Sequence, residues 1–151
     1  MNNKIIFLDI FGVLATPKSG SSFDEDCFLT LKEILLASKA DIILTTSFRK
    51  NERFIEQFRN HLSFHGICPD CLSGVTPDLK YVINWLSNEE LRSREIQRYI
   101  ENEDMENYII IDDMDLNPHL SKEQKKQFIR TETEIGLTKK LAKKCRDILN
   151  K

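Results

Sequence analysis

The sequence predicts an α/β domain in three layers, built on a mainly parallel sheet, and two observations carry that prediction. Short apolar runs rich in Ile end in acids or hydroxyls at residues 4–10 (KIIFLDI), 41–46 (DIILTT) and 107–111 (NYIII). Runs of this length and composition read as strands buried on both faces. The stretches between them place apolar residues at helical spacing, so strands and helices alternate. The 151 residues amount to one domain, 1–151, with no segment that reads as a linker.

Each element has its own warrant. Residues 4–10 form the first strand, followed by Gly12. Ser21 or Ser22 caps a helix beginning near Phe23, with Asp24 and Glu25 in its first turn and Phe28, Leu31, Ile34 and Leu35 on one face. Residues 41–46 form the second strand. Residues 51–62 return to helical periodicity through Phe54, Ile55 and Phe58, and Gly66 stops that helix. Residues 72–76 read as a short strand. Tyr81, Val82, Trp85 and Leu86 suggest a helical turn or two, with Tyr81 and Trp85 placed in the core rather than as a base-stacking platform. Residues 87–101 form a helix carrying Leu91, Ile96 and Ile100. The strand at 107–111 ends in Asp112-Asp113. A short strand at 127–131 and a helix capped by Thr138 and running to Asn150 complete the chain.

Composition narrows the class. A hydrophobic fraction of 40% with five Gly and four Pro excludes collagenous, low-complexity and wholly disordered chains. No apolar run approaches the ~20 residues that span a bilayer. Asp9 interrupts the N-terminal run and no small-residue cleavage site follows, so the expected address is cytoplasmic, with no membrane partner. The net charge is −2, yet residues 119–151 carry ten Lys and Arg against four Asp and Glu. That basic end suits a polyanion such as nucleic acid, or is a solvated helix face. Cys68 and Cys71 form a CxxC with no second pair, which reads as a turn with two half-buried thiols rather than a zinc or redox site. His61 and His65, near a helix end, read as surface residues rather than ligands.

Ligands of an open parallel sheet sit beyond the carboxyl ends of its strands. There the first strand delivers Asp9, Phe11 and Gly12; the second delivers Thr46, Ser47 and Arg49; and the strand at 107–111 delivers Asp112, Asp113 and Asp115. Acids gathered in one crevice repel one another unless a cation is present. Mg²⁺ takes oxygen ligands and commonly bridges carboxylates to phosphate.

These residues also resemble a known family. FLDIFGVL at 7–14 is similar to the first signature of the haloacid dehalogenase (HAD) superfamily, IILTTSFR at 42–49 to its second, and IIIDD at 109–113 to its fourth. A cation on the helix before that last strand fills the third role. Arg94 is the best match, with Arg92 or Lys80 as substitutes. The likeness spans nearly the whole chain and is closest to the HAD domain of the bacterial Swiss Army Knife RNA-repair proteins. Those share the Arg-Glu-Ile helix start, here 94–96, and a closing Thr…Gly-Leu-Thr, here Thr131 and 136–138. The resemblance implies a Rossmann-like sheet of order 3-2-1-4-5 with no substantial cap. It implies Asp9 as the nucleophile that forms an aspartyl phosphate, Thr46 or Ser47 on a phosphoryl oxygen, and Arg94 against the developing charge. It further implies Mg²⁺ held by Asp9, the Phe11 backbone carbonyl, Asp112 and Asp113, with Gly12 and Arg49 toward the substrate. Arg49 packing against a carboxylate is an equal alternative.

Position 11 departs from the family. The phosphatase pattern has Asp there as general acid/base, a function typically contributing ~10²–10⁴-fold, and this chain has Phe11. Three outcomes follow: slow turnover, substitution by His119 or Asp115, or binding without catalysis. Dehalogenating members carry Tyr at this place, together with a cap that this chain has little room for. An uncapped site suits a macromolecular phosphoester, such as a nucleic-acid end or a phosphoprotein, or a nucleotide. The leading expectation is thus a Mg²⁺-dependent phosphohydrolase impaired by Phe11, and the alternative is a non-catalytic phosphate- or nucleic-acid-binding domain.

Overall fold

A computed structural model of the chain describes residues 3–20 and 22–151. Five strands, β1 (Lys4–Leu8), β2 (Asp41–Leu44), β3 (Leu72–Val75), β4 (Asn107–Asp112) and β5 (Phe128–Arg130), form one parallel sheet in the order β3-β2-β1-β4-β5. The expected order and fold class hold. Helices α1 (Glu25–Ser38), α2 (Glu52–Phe64), α3 (Asn88–Asn102), α4 (Lys122–Lys126) and α5 (Lys139–Leu149) connect and cover the strands.

The pleat sorts the apolar side chains into two cores. Ile6, Leu8, Ile42, Leu44, Ile109 and Ile111 face α1, α2 and α5, where Phe28, Leu31, Phe58 and Cys145 meet them. Ile5, Phe7, Ile43 and Ile110 face the other way, onto Ile96 of α3 and Leu116. Burial on both faces explains why these strands read as unbroken apolar runs instead of alternating ones.

Helix starts follow side-chain chemistry. Asn51, Ser87 and Thr138 accept from backbone N–H groups of Phe54, Glu90 and Leu141, capping α2, α3 and α5. The cap of α1 is Asp24, which accepts from Cys27 N at 3.1 Å. The expected cap at Ser22 is corrected: its hydroxyl donates to Ser19 O instead, and Ser21 lies outside the described residues. The short helix α4 was not expected, although Ser121 and Gln124 form a reciprocal capping box visible as Ser-x-x-Gln.

Residues 76–87 form an irregular loop rather than a core helix. Tyr81 and Trp85 are 83% and 77% exposed, so their expected core placement is corrected. Without a continuing helical period, nothing turns these rings inward. The CxxC forms a 3₁₀ turn at Pro69–Cys71, with Cys68 exposed and the Cys71 thiol pushed up by burial to about 11. Among the described residues no helix is long and apolar enough to cross a membrane.

Candidate active site

The sheet register lines up the reactive groups. Leu8 pairs with Leu44 on one side and Ile111 on the other. The ladder continues one residue further: Thr45 N donates to Leu8 O (3.0 Å), Asp9 N to Ile111 O (3.1 Å) and Thr76 N to Leu44 O (3.0 Å). Thr76, Thr45, Asp9 and Asp112 therefore stand in one row across four strands, at their carboxyl ends. Two residues upstream, Phe7, Ile43 and Ile110 face α3, and the two-residue period sends Asp9, Thr45 and Asp112 the same way.

Helix α3 answers with a guanidinium. Arg92 lies one helical turn before the inward Ile96, so it shares the inner face. Its Nη1 donates to Asp112 Oδ2 at 2.6 Å and stands 3.4 Å from Asp9 Oδ1. Asp112 Oδ1 accepts from Met114 N at 2.9 Å. One carboxylate oxygen from each of Asp9, Asp112 and Asp113 lies within 4.8 Å of the others.

The electrostatics of this cluster call for more positive charge than Arg92 provides. Burial, followed by the charge of Asp112, raises Asp9 from an ordinary 3.8 to about 8, against the pull of Arg92. Burial also raises Asp112, with Arg92 opposing. Burial works against the charge on Arg92, but Asp112 and then Asp9 outweigh it and hold the guanidinium firmly protonated. A largely buried set of hard oxygen donors, short of positive charge, fits Mg²⁺.

The loop after β1 is shaped for close approach. The N–H groups of Val13, Leu14 and Ala15 all point at Ile10 O, at 3.1, 2.8 and 3.0 Å. This tight coil puts Gly12 at φ +85°, beside Asp113. A Cβ at position 12 would collide with the Asp113 carboxylate, so glycine is required by backbone angle and by space together. Thr133 Oγ1 donates to Asp113 Oδ2 at 2.8 Å. Thr131 Oγ1 donates to Gly12 O at 2.6 Å, and Leu137 N donates to Val13 O at 2.9 Å. Gly136, at φ +75°, leaves no room for a Cβ against Val13 O and Cys27 Sγ. The segment after β5 thus clasps the loop that carries Asp9.

The model of one family, the HAD domain in Swiss Army Knife RNA repair proteins, matches residues 5–142. The chain belongs to that family. No curated protein and no solved structure matches it.

This HAD domain brings Asp9, Asp112 and Asp113 together as expected, but not every expected partner. Arg94 is 53% exposed and reaches Glu90 at 3.3 Å, so the cation beside Asp9 is Arg92 and not Arg94. Residues two apart on a helix do not share a face, which is the reason for the difference. Lys80 is exposed on the loop at 76–87. Arg49 is buried and fully engaged: it donates to Thr76 O (2.9 Å), Thr46 O (3.1 Å), Pro77 O (2.9 Å) and Glu95 Oε2 (2.8 Å). Of its two expected roles the structure displays the carboxylate-packing one, tying the loops after β2 and β3 to α3. Gly12 donates its N–H to Ala15 O and accepts from Thr131, and its missing Cβ makes room for Asp113.

Thr46 is buried, and its Oγ1 accepts a long 3.5 Å bond from Phe48 N, while Ser47 is exposed. The residue missed in the sequence is Thr45, which neighbours Asp9 and whose buried Oγ1 has no hydrogen-bond partner. The signal that finds it is the sheet register, which pairs Leu8 with Leu44 and so sets Thr45 beside Asp9. Phe11 is 44% exposed and rests against Phe48, ring centroids 5.3 Å apart. Asp115 accepts from Asn117 and faces Arg130, and neither it nor His119 joins the acid cluster.

Proposed function

We propose that this HAD domain is a Mg²⁺-dependent phosphohydrolase acting through an aspartyl phosphate on Asp9. The observation that carries the reading is the convergence of Asp9, Asp112 and Asp113 within 4.8 Å, with Arg92 3.4 Å from Asp9. Asp9, Asp112 and Asp113 would hold Mg²⁺, together with the Phe11 carbonyl. When bound, the ion would neutralise the carboxylates and let an anionic phosphoester approach them.

Asp9 attacks phosphorus, the bond to the leaving oxygen breaks, and water then hydrolyses the acyl phosphate to regenerate Asp9. Arg92 offsets charge on the transferring group. The Thr45 hydroxyl, alone among the three candidate hydroxyls in being buried without a partner, is the best-placed donor to a phosphoryl oxygen. The exposed Ser47 lies on the adjoining cavity. Phe11 supplies no proton, so the leaving oxygen departs as an anion or is protonated by solvent. Turnover is therefore slow, and best with acidic leaving groups.

The open surroundings favour a large substrate. A cavity of about 470 Å³ beside Arg92 is lined by Ser47, Lys50, Lys80 and Tyr81. Lys50 sits 6.0 Å from the Tyr81 ring centre, and Trp85 is exposed on the same loop. Cations interleaved with exposed aromatic rings suit a nucleic-acid end, where bases stack and phosphates pair. The basic C-terminal segment is consistent with that partner.

Phe11 also supports the second reading, a domain that binds phosphate without turning it over. Hydrolysis of p-nitrophenyl phosphate with Mg²⁺ separates them. Turnover by the wild type that Asp9→Asn abolishes supports the enzyme. An inert wild type with activity gained by Phe11→Asp supports the binding domain.

A further inference from the structure

A second cluster of ligating side chains lies outside the acid row. His61 in the last turn of α2 and His65, the residue that caps that helix, lie four apart and present their rings on one side. Their Nε2 atoms stand 3.1 and 2.9 Å from the two oxygens of Glu25, in the first turn of α1. We propose that Glu25, His61 and His65 form a site for a zinc-class divalent ion, which staples the start of α1 to the end of α2.

Three features argue for an ion over an ordinary contact. Both Nε2 atoms are shielded from solvent and face the Glu25 oxygens without the alignment of a good hydrogen bond. Buried ring nitrogens left in that state are costly unless something accepts their lone pairs. The separations also suit an ion. Ligand atoms ~2.1 Å from one tetrahedral zinc stand about 3.4 Å apart, and the three here already lie within 4.8 Å of one another.

The surroundings hold the rings in place. Phe28 stacks on His65 at 5.0 Å and meets His61 edge-on at 4.4 Å, and Phe23 lies 4.9 Å from His61. An apolar wall of this kind orients imidazole ligands and limits water. Glu25 remains 57% exposed, which leaves the solvent side open for a fourth ligand. Two imidazoles and one carboxylate match zinc, cobalt or nickel and are poor ligands for Mg²⁺. The negative end of the α2 dipole also favours a cation.

The test uses full-length, metal-stripped protein carrying Asp112→Asn, Cys68→Ser and Cys71→Ser, which weakens the other sites where zinc could bind. Zinc is expected to bind at one equivalent and to raise Tm by about 5–10 °C. Mg²⁺ is expected to give no such rise. Adding His65→Asn or Glu25→Gln should remove both the bound zinc and the shift. Absence of bound zinc in the background protein, or zinc binding unchanged by these substitutions, overturns the proposal. Histidine ¹⁵N spectra of the wild type provide a readout that needs no ligand variant. Zinc should move the Nε2 resonances of both His61 and His65, and saturation without movement overturns the assignment.

Discussion

The acid row and the histidine pair bring ligating atoms together by opposite routes. Asp9 and Asp112 are a hundred residues apart in the chain and meet because parallel strands set them side by side. His61 and His65 meet through a single helical turn, and only Glu25 comes from elsewhere. The first cluster has two of its three acids buried, contains only oxygen donors and has a guanidinium in its midst. The second is rich in nitrogen, walled by phenylalanines and open on its carboxylate side. Donor hardness separates the ions they suit, and position separates their uses. A crevice at strand ends leaves space for a substrate, whereas a contact between two helices serves to hold them.

Substitutions sharpen this contrast, beginning with the largest expected effect. Asp9→Asn should lower p-nitrophenyl phosphate turnover by about 10⁴-fold or more while zinc binding at the histidine pair is kept. Residual turnover near the wild-type rate would remove Asp9 as nucleophile. Arg92→Met should lower turnover by about 10²–10³-fold, whereas Arg94→Met should stay within about 2-fold of wild type. Equal losses in steady-state rates would show that the α3 face has been misassigned. Gly12→Ala should displace Asp113, weaken Mg²⁺ binding measured by calorimetry and cost about 1–3 kcal/mol of stability. An unchanged Mg²⁺ affinity would show that Asp113 is dispensable to the ion.

A further expected effect is on pH dependence. A folded pKa raised from 3.8 to about 8 means that the folded protein holds a proton the unfolded chain has lost. The stability Asp9 contributes is then complete below about pH 4 and disappears as pH rises through about 8. Asp112 acts in the same direction. Metal-free protein should therefore lose Tm over that window relative to Asp9→Asn, and Mg²⁺ should restore it. Parallel Tm profiles for the two metal-free proteins would contradict the electrostatics described above.

Much of this was readable in the chain. The strands announced themselves as apolar runs because both faces are covered, and their terminal acids marked the crevice. Where the reading failed, a helix phase or a contact between distant elements decided the outcome. Arg92 and Arg94 differ by some 200° around α3, and the inward Ile96, four residues after Arg92, carried the answer. Thr45 emerges only once Leu8 is paired with Leu44. Tyr81 and Trp85 lacked any period to say which way they face. The spacing of His61 and His65 was visible, but no pattern along the chain connects it to Glu25.

The clasp formed by Thr131, Gly136 and Leu137 on Gly12 and Val13 bears on synthesis. A nascent chain emerging from the ribosome possesses all three aspartates and Arg92 before residues 131–137 are made. Until those residues arrive, the loop bearing Asp9 lacks its anchors. The geometry around Asp9 is therefore completed only by residues that follow every member of the acid cluster in the chain, so the site is assembled by the order in which the message is read.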